Sequence, residues 1–310
     1  MTSRRQFLAI SSALGGLALA GGYGSAGSAE APVPRAGLHR RKIPSSGETV
    51  PVIGMGTSGS FQIPAGGAEY QALREVLKRF VDGGGALIDT APTYGNAEDI
   101  LGSLFRESGL RPRTFIATKL SGVSGREEGR EQFASTLKRL GTDRVELLQV
   151  HNLGDWKTQI EVARQLKAEG KVRYVGLTHY VESAQDELSE AVQSSRPDFL
   201  QINYSVTHRG AEKRVFPIAQ ELGVAVLANR NFDDGALFDR VRDKALPGWA
   251  SEAGVTSWAQ MFLKFVLSHA AVTAVIPATG KPDRQSDNLK AGVGPMLDAR
   301  QKADLIGLVG

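Results

Sequence analysis

The 310-residue sequence predicts a single (β/α)8 barrel preceded by a short N-terminal β-hairpin. Three observations carry this. Eight short β-branched or aliphatic runs recur along the chain, segments of helical period separate them, and no shift of composition after residue 40 marks a second domain. Strands that alternate with helices pair in parallel, and parallel strands, buried on both faces, read as short continuous apolar runs. Eight such units over about 240 residues suit a closed barrel, a fold that runs to this length as one domain. An open doubly wound sheet would want G-x-G-x-x-G at a helix start after the first strand. Gly54-Met55-Gly56-Thr57-Ser58-Gly59 is Gly-rich but lacks that form.

Composition narrows the function classes. With 41% hydrophobic and 23% charged residues the chain is an ordinary globular one. It has no cysteine, which removes disulfides, thiolate nucleophiles and Cys-ligated metal centres. The net charge is +4, and Arg4 and Arg5 supply two of those charges; beyond them 35 basic residues face 33 acidic ones. A balance of +2 is too small to point to nucleic acid or an anionic membrane surface.

The elements follow in order. Residues 1–29 have a charged start (Arg4-Arg5-Gln6-Phe7-Leu8), an apolar stretch over 8–20 and a small-residue end. This is the three-part plan of an export signal, and the paired arginines resemble a twin-arginine signal. The apolar run is about 13 residues, short of the roughly 20 that span a bilayer, so no stable membrane insertion is expected. The expectation is export through the twin-arginine translocation machinery to the periplasm or beyond, with cleavage after Ala26 or Ala29. Residues 30–40, with Pro32, Pro34 and Gly37, read as a flexible leader, and 41–310 as the barrel. The segments 41–44 and 49–52 flank Ser45-Ser46-Gly47-Glu48 as a hairpin. Strands are expected at 52–55, 86–88, 114–117, 145–150, 172–177, 198–202, 224–227 and 272–276. Helices are expected at 69–82, 97–107, 127–140, 156–169, 182–194, 210–222, 256–268, 282–290 and 297–308. In the first helix Leu73, Val76, Leu77 and Phe80 make one stripe, with Arg74, Glu75, Lys78 and Arg79 opposite. Gly83-Gly84-Gly85, Gly170 and Gly223 suit helix ends.

In such a barrel function gathers at the C-terminal ends of the strands. There the sequence sets Asp89 and Tyr94 after strand two, Lys119 after strand three and His151 after strand four. These four form a proton-transfer set. A free tyrosine has a pKa of about 10, and a nearby cation is what lets a phenol exchange a proton near neutral pH. Lys119 can supply that charge, Asp89 can hold Lys119, and His151 can orient a carbonyl oxygen. Taken singly, each residue has a plainer reading: a buried ion pair, a packed loop aromatic, a capped histidine. A metal site is disfavoured, because Lys119 within it would repel a cation.

At these residues the sequence resembles the aldo-keto reductase family, over about residues 42–290. The likeness is carried by Gly85-Ala86-Leu87-Ile88-Asp89-Thr90-Ala91-Pro92-Thr93-Tyr94-Gly95-Asn96-Ala97-Glu98, Ile116-Ala117-Thr118-Lys119 and Leu147-Leu148-Gln149-Val150-His151. The resemblance implies reduction of an aldehyde or ketone by NADP(H), with NAD(H) as the alternative. Asp89, Tyr94, Lys119 and His151 take the catalytic roles. It implies cofactor contacts at Gly56 and Thr57, at Thr178 and His179, at Gln201, and at Asn229 and Arg230. Ile276-Pro277-Ala278-Thr279-Gly280-Lys281-Pro282-Asp283-Arg284-Gln285-Ser286-Asp287-Asn288 resembles the adenosine-phosphate motif. There Arg284 would clamp a 2′-phosphate, Thr279 would add a hydroxyl, and Asp287 and Asn288 would meet the adenine. Three positions depart from the family: His179 for Asn, Asn229 for a stacking Tyr (Tyr204 being the candidate substitute), and Ala278 for Lys. Phe61, Trp156, Phe232 and Trp249 are candidate pocket walls. Short loops, apart from 229–256, point to an open site and a monomer.

Export sets this against a second reading. Free NADPH is not expected outside the inner membrane, so an exported barrel either carries its cofactor out with it or serves as a non-catalytic nicotinamide-binding or sensing protein. A metal-dependent hydrolase is the third reading.

Overall fold

A computed structural model describes residues 37–309. The export signal assigned to 1–29 and the leader up to residue 36 lie outside the described residues. The chain is engaged earlier than the leader expectation placed it. His39 donates its N–H to Gly292 O (2.8 Å) and places its ring Nε2 2.7 Å from Gly294 O.

The hairpin consists of β1 (Arg40–Lys42) and β2 (Thr49–Pro51), antiparallel with Arg41 opposite Val50. Eight parallel strands follow: β3 (Met55–Gly56), β4 (Leu87–Asp89), β5 (Phe115–Leu120), β6 (Val145–His151), β7 (Val172–His179), β8 (Phe199–Asn203), β9 (Ala225–Asn229) and β10 (Val272–Val275). Each pairs with its sequence neighbour, and the parallel bridges Ile53–Val275 and Gly56–Ala278 join the last strand to the first. Closure needs glycine at position 56, because a Cβ there would stand 2.9 Å from Ile276 O.

Helices α1 (Gly67–Asp82), α2 (Ala97–Ser108), α3 (Arg126–Leu140), α4 (Trp156–Ala168), α5 (Gln185–Ser195), α6 (Val215–Leu222), α7 (Ala236–Arg240), α8 (Trp258–Leu267), α9 (Pro282–Lys290) and α10 (Ala299–Val309) accompany the strands. Leu73, Val76, Leu77 and Phe80 of α1 are buried, as the stripe requires. Two expected helices are broken. The segment over 182–194 starts as a 3-10 turn (Glu182–Ala184), and that over 210–222 starts as another (Gly210–Lys213) before α6 begins. The break before α6 puts Pro217 in the first helical turn, where a missing N–H costs nothing. The 229–256 connection, read as one loop, contains the short helix α7.

Two apolar layers hold the molecule. Outside, helix stripes pack on the outward faces of the strands. Inside, Leu87, Phe115, Leu147, Tyr174, Phe199 and Leu227 fill the barrel with Ile43 and Val50 of the hairpin region beneath them. The interior is therefore plugged from its N-terminal end, and only the C-terminal end is left for a ligand.

Candidate active site

Side chains alternate along a strand, so every second residue faces the barrel axis. The inward series on β5 runs Phe115, Ala117, Lys119; on β6, Leu147, Gln149, His151; on β8, Phe199, Gln201; on β9, Ala225, Leu227, Asn229. Each begins apolar and ends polar. The polar ends meet at one level, since Lys119 is in register with Gln149 and Thr178 with Gln201.

Lys119 is buried, and its Nζ donates to Asp89 Oδ1 (2.7 Å) and Thr90 O (2.8 Å). The same Nζ lies 4.9 Å from the centre of the Tyr94 ring. Burial pulls the Lys119 pKa down, but the Asp89 charge and then Tyr94 pull it up further, so the amine is held above its ordinary value. The other carboxylate oxygen of Asp89 accepts from Gln201 Nε2 (2.8 Å) and Gln149 Nε2 (3.2 Å). Gln201 Oε1 accepts in turn from Asn229 Nδ2 (3.2 Å). The buried carboxylate is thus fully partnered, which is what makes a charge tolerable inside a barrel. Gly176 on β7 makes room for this arrangement: a Cβ there would stand 2.9 Å from Gln149 Cγ and 3.1 Å from Phe199 O.

Tyr94 sits in the turn after β4, fixed by Tyr94 N–H to Ala91 O (3.1 Å) and Ala97 N–H to Tyr94 O (3.0 Å). Its ring meets that of His151 edge-on, with centroids 6.0 Å apart and planes at 82°. His151 Nδ1 lies 2.8 Å from Ser121 Oγ. Burial, then the positive charge of Lys119 and the neighbouring His179, drive the His151 pKa from 6.5 to about 3, so its imidazole is neutral.

Above this floor lies a cleft of about 880 Å³. It runs from Asp89, Tyr94 and His151, past Gly56, Thr178, Gln201, Asn229 and Arg230, to Thr279, Arg284, Asp287 and Asn288. Arg284 and Asp287 belong to α9, whose first turn opens on the cleft. Among the described residues Arg284 has no ion-pair partner. Asp287 is engaged by Gln260 Nε2 (2.6 Å) and Ser257 Oγ (2.5 Å). Arg230 stands 4.0 Å over the Tyr180 ring and pairs with Asp234 (3.0 Å). A guanidinium at a helix N-terminus, joined by a continuous cleft to a pinned ammonium, fits a long anionic ligand with a reacting group at its far end.

Four placements differ from those expected. Thr57 does not line the cleft: it is fully buried, and its N–H (3.0 Å) and Oγ1 (3.1 Å) brace Asp89 O. His179 is not among the lining residues either; its Nδ1 accepts the Val181 N–H (3.1 Å), because β7 alternation turns Thr178 inward and the next residue away. Tyr204 cannot replace a stacking ring, for it is packed edge-on to Phe216 (4.9 Å) with its hydroxyl on Glu212 (2.5 Å). Of the four candidate wall aromatics only Phe232 lines the cleft; Phe61 is fully buried, and Trp156 and Trp249 pack against the helical layer. Sequence reasoning missed Gln149 and Ser121. Gln149 lies two residues before His151 and Ser121 two after Lys119, so strand alternation could have found both.

A model of the Aldo/keto reductase family matches residues 52–305. The aldo-keto reductase YhdN of Bacillus subtilis is 28% identical over 206 residues, 62% of this chain and 61% of that protein. The NADH-specific methylglyoxal reductase of Escherichia coli is 27% identical over 211 residues, 58% of this chain and 62% of that protein. The chain thus spans about three fifths of the length of these relatives. A Klebsiella pneumoniae aldo/keto reductase solved with NADP and acetate is 26% identical, with a TM-score of 0.73 over 86% of this chain and 94% of that one.

Proposed function

The chain belongs to the aldo/keto reductase family, and from that premise we propose that it reduces an aldehyde or ketone to the alcohol with NADP(H), NAD(H) being the alternative. The observation that carries this is Lys119, pinned between Asp89 and Tyr94 at the floor of the cleft. The cofactor, when bound, supplies a hydride to the carbonyl carbon. Tyr94 gives its phenolic proton to the carbonyl oxygen as negative charge develops there. The Lys119 ammonium, kept charged by Asp89, stabilises the phenolate left behind. His151, neutral and edge-on to Tyr94, orients the same oxygen.

Gln201 and Asn229 are the residues that would hold the nicotinamide end, and Arg284, Thr279, Asp287 and Asn288 the adenosine end. Arg284, without an ion-pair partner among the described residues, supports NADP(H), since a guanidinium clamps a phosphate in two-pronged fashion. The Klebsiella neighbour solved with NADP supports the same choice, and the NADH-specific relative keeps the alternative open. Tyr94→Phe tests the reading. Turnover on a panel of aldehydes should fall by about 10²–10⁴-fold, with NADPH binding, followed by protein fluorescence, unchanged. Retained turnover would sink the proposal.

The Arg4-Arg5 start supports a further proposal, that the barrel leaves the cytoplasm folded, carrying its cofactor. Arg4→Lys with Arg5→Lys should retain the protein in the cytoplasmic fraction at its full length.

A further inference from the structure

We infer that Ser121 is a positioning residue that fixes His151 as its Nε2–H tautomer, so that the imidazole presents a hydrogen-bond donor to the substrate oxygen. A neutral imidazole carries one N–H, and the hydrogen bond at one nitrogen decides which bears it. Ser121 Oγ is 2.8 Å from His151 Nδ1, and that is its only hydrogen-bond partner among the described residues. Ser121 is 4% exposed. A buried hydroxyl that received a proton from Nδ1 would have no acceptor for its own O–H, and an unmade bond of that kind is costly. The satisfied arrangement has Ser121 O–H donating to Nδ1, which leaves the proton on Nε2.

The hydroxyl is not free to drift out of this role. Gln132 of α3 grips the Ser121 backbone from both sides, with Ser121 N–H donating to Gln132 Oε1 (2.7 Å) and Gln132 Nε2 donating to Ser121 O (2.9 Å). The ring itself is held by its edge-on contact with Tyr94. The opposite tautomer would turn a lone pair towards the carbonyl oxygen and repel it as negative charge builds there. His179 shows the same device with a donor that permits no choice: the Val181 N–H can only donate, so His179 Nδ1 must accept. His269 Nδ1 likewise accepts the Ala271 N–H (3.2 Å), so three of the five histidines are held with Nδ1 bare.

The catalytic consequence rests on the reductase reading, but the tautomer does not, and the experiment separates them. Long-range ¹⁵N–¹H correlation spectra of the ¹⁵N-labelled protein at pH 7, without cofactor, should show His151 with a protonated Nε2 and a bare Nδ1, assigned by loss of the signals in His151→Gln. In Ser121→Ala the two tautomers should mix. Turnover of a ketone should fall about tenfold, less than the roughly 10²–10⁴-fold of a group that itself transfers the proton, with NADPH affinity unchanged. Ser121→Thr, which keeps the hydroxyl, should restore both the spectrum and the turnover. A protonated Nδ1 in the parent, or an unchanged His151 spectrum in Ser121→Ala, overturns the inference. The expected spectrum in a protein without reductase activity upholds the lock and removes the reductase reading instead.

Discussion

The two ends of the barrel are built from the same strands and hold together by different physics. At the N-terminal end Phe115, Tyr174 and Phe199 stack within 6.0 Å of one another over Ile43 and Val50. That end is stabilised by area removed from water, which is undirected and tolerant of detail. At the C-terminal end the inward positions are Asp89, Lys119, Gln149 and Gln201, as deeply buried as the rings below them. There stability depends on each donor meeting an acceptor, and the loss of one partner leaves a charge stranded. The apolar end can therefore be repacked, whereas the polar end is a single network in which position and chemistry are the same requirement.

The largest effect should come from breaking that network. Lys119→Met strands Asp89 in the interior and should cost about 3–5 kcal/mol in urea unfolding, with turnover abolished. A loss below about 1 kcal/mol would mean that the pair is not what makes the polar end buriable. Phe199→Ala at the other end should cost a similar 3–5 kcal/mol, yet leave turnover per folded molecule unchanged. If Phe199→Ala also lowered turnover, the two ends would not be separable. Gly176→Ala lies between them. Its Cβ must displace Gln149 from beneath Asp89, so about 1–3 kcal/mol of stability and part of the turnover should be lost together. The smallest effect, per pH unit, concerns His151. Its pKa is about 3 in the folded protein against 6.5 ordinarily. As pH falls from 6.5 towards 3, the unfolded chain takes up a proton that the folded one refuses, so stability decreases, by at most about 1.4 kcal/mol per pH unit. His179 and His269, also lowered by burial, act in the same sense. The checkable quantity is therefore the difference in slope between the parent and His151→Gln, which should lose this share of the acid sensitivity.

The eightfold alternation, the closing of the barrel and the four residues that meet at its mouth are all legible in the residues alone. Periodicity and strand-end position are local properties, and in a parallel barrel the strand ends converge whatever the loops do. Asp89, Tyr94, Lys119 and His151 were legible for that reason, and so was the cationic start of α9. Which neighbour each side chain meets across strands is set by the packing of the folded barrel. Gln149 reaches Asp89 because position 176 on the next strand has no side chain, and Ser121 reaches His151 because Gln132, from a helix eleven residues on, holds its backbone. The same reason explains the misplacements. Whether Tyr204, Phe61 or His179 faces the cleft or the core depends on register and on the direction in which a strand ends, and neither is written in the residues that flank it.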